Sequence, residues 1–395
     1  MKRESKTVHW GDRRRSSSDF TPVTTPIYTA TSYSYDSMET LDRIFARELE
    51  GPSYTRYGNP TQDALEECVR ELESAAFCAA CASGMAALHL ALLGALIDRS
   101  RHVLAADAIY GSTASMLMGI LGPIGIETTF VDICNLAAVQ AAVDETKPGV
   151  ILMETVSNPL LRVGELDKIA AIAQAAGAVL IVDATFTTPL LMRPLELGAG
   201  MVVHSATKYL AGHGDVLGGI VASGPEHLEA LRSLARTLGP VMSPFESFLT
   251  MRGIKTLALR MERQCANACK VASWLSAHPS VDRVYFTGDP AHPDSAAIAR
   301  LFPKGQTGAM VSFEIKNAGR EEIFRFMDSL KMIVRGTSLG DVHTLASYPA
   351  ISSHRELTPK HRHRLGIKDN LVRFSIGIEA AEDITEDLDQ ALAVS

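Results

Sequence analysis

The sequence predicts an α/β fold, with a mostly parallel central sheet, helices on both faces, and a smaller C-terminal α/β domain. From residue 75 onward, apolar strand candidates alternate with helical patterns, which is typical of a parallel sheet. Most candidates are continuous apolar runs, as expected of strands buried on both faces. They cover residues 75–80, 102–105, 127–131, 150–153, 178–183, 201–204 and 219–222.

Helical periodicity marks segments before, between and after these strands. Residues 61–72, 86–96 and 166–175 show it, and a longer helical pattern over 244–277 leads to the second domain. That domain has strand candidates at 309–315, 332–334 and 372–375. Residues up to about 59 show only weak periodicity, so they are predicted to form an extended arm.

Length and composition limit the possible functions. A chain of 395 residues exceeds one hydrophobic core and suggests two domains. The net charge of −7 argues against a nucleic-acid surface, which needs clustered Lys and Arg. No apolar stretch approaches membrane-spanning length, and the N-terminus lacks the apolar middle of a signal peptide. We therefore expect a cytoplasmic protein that binds neither nucleic acid nor membrane.

The segment after residue 201 carries the most chemical information. An apolar run stops at His204, and Ser205, Thr207 and Lys208 follow. Ligands bind just beyond the carboxyl ends of parallel strands, so Lys208 falls where it is useful for chemistry. One amine beside two hydroxyl groups suits an aldehyde cofactor that carries a phosphate, which is pyridoxal 5′-phosphate (PLP).

A partner for the pyridine nitrogen of PLP is available upstream. The strand candidate at 178–183 ends in Asp183. An adjacent carboxylate favours the protonated pyridine, and protonation makes the ring an electron sink. Either Lys208 or Asp183 alone would be an ordinary residue, but the two together at strand ends indicate a PLP site.

A phosphate site is predicted at the start of the helical run 86–96. Ser83, Gly84 and Met85 precede it. The first N–H groups of a helix lack intrahelical partners and attract anions, and glycine allows a close approach of the backbone. With Ser205 and Thr207 these residues would complete a phosphate cup.

Sequence motifs along nearly the whole chain resemble one family, the PLP enzymes of Cys/Met metabolism. This transsulfuration group includes cystathionine γ-synthase, cystathionine γ-lyase, methionine γ-lyase and homoserine sulfhydrylases. The resemblance implies PLP fold type I, which is similar to aspartate aminotransferase. It also implies a large PLP-binding domain over 61–255 and a C-terminal domain over 256–395. The motifs are TPIYTATSY (25–33), YTRYGNPT (54–61), ASGMAA (82–87), YGST (110–113), SNPLLRV (157–163), the Lys208 segment, TSLGD (337–341) and LVRFSIGIE (371–379).

The resemblance also implies roles for residues near the cofactor. Tyr110 would stack on the pyridine ring and exchange protons with the leaving group, and Asn158 would hydrogen bond the ring oxygen and line the substrate pocket. Gly84 and Met85 would bind the phosphate through backbone N–H groups, whereas Ser205 and Thr207 would bind it through hydroxyl groups. Lys208, Tyr110 and Asp183 would be the catalytic residues.

The remaining site residues concern the substrate and a neighbouring subunit. Arg373, on a strand candidate, suits the α-carboxylate of an amino-acid substrate because a guanidinium binds carboxylates through two parallel hydrogen bonds. Ser338 would border the same pocket. By resemblance, the arm (1–60) carries Tyr54 and Arg56 to the phosphate of a neighbouring subunit, so we expect at least a homodimer, and a tetramer as in the family.

The exact reaction is less constrained than the family. Enzymes of the family that act on cystathionine usually carry glutamate before the SLG turn, where this chain has Thr337, and methionine γ-lyases usually carry cysteine where Ser112 stands. TSLGD is closer to methionine γ-lyase and sulfhydrylase patterns. We therefore expect γ-elimination from methionine or cystathionine-like substrates. γ-Replacement on an O-acylhomoserine is the alternative, and an aminotransferase or a non-catalytic PLP-binding protein is more remote.

Two further clusters could suggest metal or anion binding. Cys78 and Cys81 are spaced C-x-x-C, and Cys265 and Cys269 lie four residues apart. In their apolar context these thiols are interpreted as packing residues rather than zinc or redox groups, and no metal is expected. The basic, histidine-rich segment 354–364 is interpreted as a solvated surface.

Overall fold

The computed structural model describes residues 1–13, 20–353, 355, 362 and 365–394. Its larger sheet has seven strands in the order β1-β7-β6-β5-β4-β2-β3. β7 runs antiparallel to β1 and β6, and the other neighbours pair in parallel. The predicted mostly parallel sheet is thus confirmed. Its strands are β1 (Phe77–Cys81), β2 (His102–Ala106), β3 (Glu127–Val131), β4 (Val150–Glu154), β5 (Val179–Asp183), β6 (Met201–Ser205) and β7 (Gly219–Ser223).

Helices cover this sheet. The helix that follows β1 packs on β6 and β7, and its leucine and alanine side chains are buried on several sides because it lies between the sheet and a neighbouring helix. The α-helices described before residue 255 are α1 (Arg3–His9), α2 (Met38–Phe45), α3 (Pro60–Glu73), α4 (Gly84–Leu96), α5 (Gly111–Met116), α6 (Leu136–Thr146), α7 (Leu166–Ala176), α8 (Thr188–Leu191), α9 (Leu228–Leu238) and α10 (Pro244–Ile254).

A second sheet forms the smaller C-terminal α/β unit, also as predicted. Its order is β10-β11-β12-β9-β8, and Phe313, Phe326 and Phe374 stack in its core. The strands are β8 (Val281–Tyr285), β9 (Met310–Ile315), β10 (Val334–Arg335), β11 (Leu345–Ser347) and β12 (Leu371–Ser375). The helices are α11 (Leu257–Ala277), α12 (Ser295–Leu301), α13 (Arg320–Ser329) and α14 (Ala381–Leu392). The division at residues 60 and 255 stays a prediction.

The helical pattern over 244–277 forms two helices rather than one. α10 ends at Ile254 and α11 begins at Leu257. The buried Arg260 guanidinium donates to the Gly253 carbonyl at 2.8 Å and to the Tyr209 carbonyl at 2.8 Å. The carbonyl at this break thus anchors Arg260, and Arg260 in turn fixes the backbone just after Lys208.

The first residues of the chain pack on helices of the same chain that cover the large sheet. Arg3 donates to the Leu190 carbonyl at 3.1 Å, and Lys6 lies 3.3 Å from the Glu71 carboxylate on α3. Residues 3–9 are helical, whereas the sequence predicted an extended segment. This part of the predicted arm thus contacts its own chain. Among the described residues, no helix combines the length and apolar character needed to cross a membrane.

Candidate active site

Three neighbouring strands of the large sheet bring polar residues to the same end of the sheet. β4 ends at Glu154, β5 at Asp183 and β6 at Ser205, and Glu154 lies opposite Asp183 in the parallel register. Lys208 follows three residues after β6. The carboxyl ends of parallel strands thus collect two carboxylates and an amine, as ligand sites in open α/β sheets do.

The Lys208 amine is partly buried and held by the second unit. Its Nζ donates to Ser338 Oγ at 2.9 Å. Burial lowers the pKa of Lys208, and the positive charge of Arg373 lowers it further. A larger fraction of this amine is therefore neutral near pH 7 than of an ordinary lysine.

The turn that carries Ser338 packs directly on the Lys208 backbone. Gly340 has φ of +75°, and a Cβ there would lie 2.5 Å from the Tyr209 nitrogen, so only glycine fits without strain. The Gly340 N–H donates to Ser375 Oγ on β12 at 2.8 Å. The glycine of the TSLGD motif therefore lets this turn pack closely against the backbone at Lys208.

Asp183 ends β5, the middle strand of the seven in the large sheet. Burial raises the pKa of Asp183, while the Thr185 N–H, 2.9 Å from Oδ1, and the nearby His204 oppose this rise. His204 itself is buried and hydrogen bonds Glu73 through Nε2 at 2.6 Å. The net effect is a pKa of Asp183 above its ordinary value, and a cationic ring nitrogen beside it would favour the charged carboxylate.

The start of α4 forms a narrow cup with β6 and β7. A Cβ at Gly84 would lie 2.9 Å from Ser205 Cβ, and a Cβ at Gly219 would lie 2.1 Å from the Ser83 carbonyl oxygen. Ser83 caps α4 by accepting from the Ala86 N–H at 3.1 Å, which leaves the first N–H groups of the helix directed out of the helix end. The backbone at Gly84 therefore lies close against Ser205, at a helix start whose first N–H groups can bind an anion.

The Thr207 hydroxyl lies in a neighbouring hydrogen-bonded turn. Its Oγ1 accepts from the Gly218 N–H at 2.9 Å and lies 3.2 Å from the Gly218 carbonyl. These bonds hold the backbone that carries Lys208 against the start of β7.

Arg373 brings a cation from β12 to the same site. It is only 4% exposed. Nη1 donates to Asn158 Oδ1 at 2.8 Å and Nη2 to the Ser338 carbonyl at 3.3 Å, while Nε is buried and has no partner among the described residues. Burial lowers the pKa of Arg373 to about 10, so it stays charged at neutral pH. A buried cation with an unsatisfied donor is suited to an incoming carboxylate.

Tyr110 and Glu154 also lie at this end of the large sheet. Tyr110, 41% exposed, precedes α5, and its N–H donates to Glu154 Oε1 at 2.8 Å. Burial, followed by the charge of Asp183, raises the pKa of Glu154 to about 8. The sequence analysis missed Glu154, although it ends an apolar strand in the same way as Asp183, and this signal was sufficient to find it.

Tyr54 and Arg56 are not joined to this cluster within the described part of the chain. Arg56 donates to the Arg236 carbonyl at the end of α9, and its guanidinium lies 4.7 Å from the centre of the Tyr57 ring. Tyr54 is 40% exposed and packs against Tyr57 at 5.9 Å between ring centres. Both residues lie on the surface of their own chain, in the segment predicted to reach a neighbouring subunit.

The two clusters of possible metal ligands remain outside the site. Cys78 and Cys81 are free and buried in β1, and burial raises the pKa of both thiols. The described residues contain no group of three or more His, Cys, Asp or Glu that could hold a metal ion. His354, Lys360, His361, His363 and Arg364 of the basic segment lie outside the described residues.

These donors match the groups of PLP. The cup at Gly84 is too narrow for an added side chain but suits a phosphate, and the Lys208 amine and the Asp183 carboxylate suit an aldehyde and a pyridine nitrogen. The sequence model described as "Cys/Met metabolism PLP-dependent enzyme" matches residues 4–393. The chain belongs to this family. It is therefore a PLP-dependent enzyme of sulfur amino-acid metabolism, within the transsulfuration group.

Relatives within the family differ in reaction. The chain is 41% identical to cystathionine γ-lyase of Bacillus subtilis, with 99% of each chain covered. It is 40% identical to O-succinylhomoserine sulfhydrylase of Pseudomonas aeruginosa, with 93% of this chain and 90% of the relative covered. A crystal structure of cystathionine γ-lyase from Lactobacillus plantarum complexed with L-serine superposes with a TM-score of 0.91 at 34% identity, covering 100% of this chain and 99% of that one. These comparisons fix the family and the PLP chemistry, and they leave the individual reaction open.

Proposed function

We propose that this enzyme catalyses γ-elimination from methionine or a related thioether amino acid, releasing a thiol, 2-oxobutyrate and ammonia. The observation that carries the proposal is a shared contact at Ser338. Its hydroxyl accepts from the Lys208 amine at 2.9 Å, and its carbonyl accepts from the Arg373 guanidinium at 3.3 Å. A base and a carboxylate-binding cation thus converge on one residue, as proton removal beside a held carboxylate requires.

Arg373 holds the α-carboxylate of the substrate. Its unpartnered Nε and its charged, buried guanidinium support this role. Asn158 fixes the guanidinium from the other side through the 2.8 Å hydrogen bond from Nη1. The substrate is thereby oriented with its Cα–H toward Lys208.

When bound, PLP supplies an aldehyde that joins amino groups and a protonated pyridine ring that takes up the electron pair left at Cα. Gly84, Met85, Ser205 and Thr207 would hold its phosphate, with Tyr54 and Arg56 of a partner subunit. Asp183 would keep the proton on its ring nitrogen, and Asn158 would donate to its ring oxygen.

Lys208 moves the protons. Its neutral amine would take the proton from Cα, give that proton up again on the cofactor side, and then, neutral once more, take a proton from Cβ, which its flexible side chain allows. Tyr110, exposed at the mouth of the site, would lie against the bound cofactor and supply a proton to the leaving sulfur. The lowered pKa of Lys208 supports its use as a base near neutral pH.

Thr337 bears on the choice of substrate. This residue is exposed and uncharged, and it directly precedes Ser338. The ammonium group of cystathionine's distal end, or of a cysteine acceptor, would lack a carboxylate at this position. A thioether with an apolar end needs no such partner. This favours methionine-like substrates over cystathionine.

γ-Replacement on an O-acylhomoserine with sulfide is the second candidate. Sulfide also carries no ammonium group, so the uncharged Thr337 suits it equally, and a relative at 40% identity is an O-succinylhomoserine sulfhydrylase. The two reactions share the α-carboxylate and Cα–H steps and differ in the leaving group and in the group that adds at Cγ.

A substrate panel separates the candidates. Purified holoenzyme is incubated with methionine, cystathionine, homocysteine, and O-acetyl- and O-succinylhomoserine, each with and without sulfide or cysteine. Thiol and 2-oxobutyrate in equal amounts from methionine alone support elimination. Homocysteine formed only from an acylated homoserine plus sulfide, with no turnover of methionine, overturns elimination in favour of replacement.

The same panel is run with Lys208→Ala and with Lys168→Ala as the control. Lys208→Ala is expected to lower turnover by about 10⁴-fold or more, because it removes both covalent attachment and the base. Lys168 pairs with Glu165 on the surface of α7, so its variant is expected to match the wild type. Substantial residual turnover in Lys208→Ala contradicts the assignment.

We also infer a homo-oligomer, at least a dimer and as a tetramer in its full form, that works in the cytoplasm. The arm supports the first inference, because Phe20, Val23, Met38 and Phe45 expose 60–78% of their surfaces on a single chain. Such apolar surface is typical of subunit interfaces. The six free cysteines fit a reducing compartment. Light scattering of the purified protein measures the subunit number.

A further inference from the structure

The loop that carries Asn158 is held from outside by the second unit. It runs between β4 and α7. Ser312 Oγ on β9 donates to the Pro159 carbonyl at 2.7 Å, and His292 Nε2 lies 3.1 Å from the Leu161 carbonyl. Asp294 contacts the loop next to these points. Three side chains that are far from the loop in sequence therefore contact consecutive parts of it.

Asp294 makes the most extensive of these contacts. Its carboxylate accepts from Arg162 Nε at 2.7 Å and from Arg162 Nη2 at 2.8 Å, and also from the Val163 N–H at 2.9 Å. Burial opposes ionisation of Asp294, but the Arg162 guanidinium and the Val163 N–H hold its pKa below the usual range. A bidentate, charge-assisted pair with a third backbone bond fixes position as well as adding energy.

His292 adds a neutral hydrogen bond. Its Nδ1 accepts from the Asp294 N–H at 3.0 Å, so the ring hydrogen is on Nε2, which donates to the Leu161 carbonyl. Burial lowers the pKa of His292, which favours this neutral form. The imidazole is thus fully engaged between its own segment and the loop.

The loop conformation requires such support. Leu161 has φ of +56°, in the left-handed region that is unfavourable for a leucine, and its side chain is fully buried. Within the loop, the Ser157 N–H donates to the Arg162 carbonyl at 2.9 Å and the Arg162 N–H to Ser157 Oγ at 3.0 Å. These bonds close the loop into a small rigid unit with Asn158 inside it.

We propose that Asp294 and His292 are positioning residues for the substrate carboxylate, because they fix the loop whose Asn158 side chain holds the Arg373 guanidinium. The inference rests on the proposed role of Arg373 as the carboxylate-binding residue. Asn158 Oδ1 lies 2.8 Å from Arg373 Nη1, so a shift of the loop moves the guanidinium. A displacement of about 1 Å at such a site costs roughly 100-fold in rate.

Two ligands that differ only in the carboxylate test this proposal without turnover. L-Norleucine resembles methionine but has no sulfur to eliminate, and pentylamine is the same molecule without the carboxylate. Their dissociation constants are measured with holoenzyme from the change in the visible absorbance of the cofactor. Asp294→Ala is expected to weaken norleucine binding roughly 10- to 100-fold and to leave pentylamine binding unchanged.

Arg300→Ala is the matched control. Arg300 on α12 forms a similar paired contact, donating to Asp167 at 2.9 and 3.1 Å and to Glu165 at 3.0 Å, but at the start of α7 rather than on the Asn158 loop. This variant is expected to bind both ligands like the wild type. Equal weakening of both ligands in Asp294→Ala, or the same norleucine loss in Arg300→Ala, overturns the proposal, because either result indicates general damage.

Asp294→Asn covers the case in which Asp294→Ala does not fold. Its amide oxygen still accepts from Val163 but lacks the charge for Arg162, so norleucine binding is expected to weaken several-fold. Wild-type norleucine affinity in a folded Asp294→Asn protein, judged by circular dichroism, overturns the proposal. Arg373→Leu distinguishes a failure of the proposed carboxylate site from a failure of the positioning role. If Arg373→Leu also leaves norleucine binding unchanged, Arg373 does not bind the carboxylate. If Arg373→Leu weakens norleucine binding and the Asp294 variants do not, only the positioning role is wrong.

Discussion

The Lys208 amine and the Ser338 hydroxyl lie 2.9 Å apart across the junction of the two sheets. Lys208 follows a strand of the large sheet, and Ser338 belongs to the turn between two strands of the small one. The site is thus assembled from both units. The proposed base, Lys208, comes from the large unit, and the proposed carboxylate-binding residue, Arg373, comes from the small one.

Arg373 is expected to control the reactivity of the Lys208 amine. In cofactor-free protein, the pH profile of Lys208 acylation should report a pKa below the ordinary 10.5, because burial and the Arg373 charge both disfavour the ammonium form. Arg373→Leu removes the charge and should move the profile to higher pH. Acylation of individual lysines is followed by mass spectrometry, with the exposed Lys331 as the internal control. An identical Lys208 profile in both proteins contradicts the coupling.

A lysine at position 373 is not expected to replace arginine. The guanidinium binds Asn158 and the Ser338 carbonyl with separate nitrogens and has a third donor left for the substrate, whereas an ammonium cannot match this geometry. Arg373→Lys should raise KM for the amino-acid substrate by at least roughly 30-fold, as loss of a buried charge-assisted pair does. Steady-state kinetics measure the change. A variant with wild-type KM shows that the carboxylate binds elsewhere.

Glu154 should make the stability of the cofactor-free protein depend on pH. Its pKa is raised from 4.5 to about 8 in the folded state, so the folded form binds more protons between these values. Stability is therefore expected to fall as pH rises from 5 to 8, with a contribution of at most about 1.4 kcal/mol per pH unit.

Glu154→Gln removes this dependence while its amide oxygen can still accept from the Tyr110 N–H. Urea unfolding at several pH values compares the variant with the wild type and with Glu321→Gln, an exposed residue of α13. The Glu154→Gln curve should be flatter than both others between pH 5 and 8. Three parallel curves are inconsistent with a buried carboxyl that is protonated in the folded protein.

The proposed sharing of active sites between subunits predicts complementation. Arg56→Ala and Lys208→Ala proteins should each be nearly inactive, but subunits of the two refolded together should recover about a quarter of wild-type activity. Half of the random dimers are mixed, and one of the two sites in each mixed dimer has both residues intact. No recovery, with mixed dimers verified by mass spectrometry of differently tagged chains, indicates that Arg56 serves its own chain.

Much of the fold is predictable from the sequence because the central strands are continuous apolar runs. The candidates at 150–153 and 201–204 match β4 and β6 to within one residue. β8 and β11 were missed for different reasons. β8 (Val281–Tyr285) is a partly exposed edge strand with charged residues, and β11 (Leu345–Ser347) is only three residues long. Neither has a periodic pattern long enough to detect.

The candidate site, like the fold, was only partly predictable from local sequence patterns. Lys208 and Asp183 follow from local strand-end patterns, whereas the role of Asn158 as a support for Arg373 depends on a contact 215 residues apart in sequence. The break between α10 and α11 was also not predictable, because it depends on Arg260 reaching the carbonyls of Gly253 and Tyr209. Such long-range contacts leave no local trace in the sequence.

The placement of Lys208 and Arg373 on separate sheets has a consequence for heat inactivation. The buried side chains form two clusters, the first of which also takes in Met310 and Leu339 from the C-terminal part, and we expect warming to loosen the contact between them before either cluster unfolds. A small shift between the two clusters separates the amine from the guanidinium. Catalysis then ceases in a protein whose circular dichroism is still that of the native state.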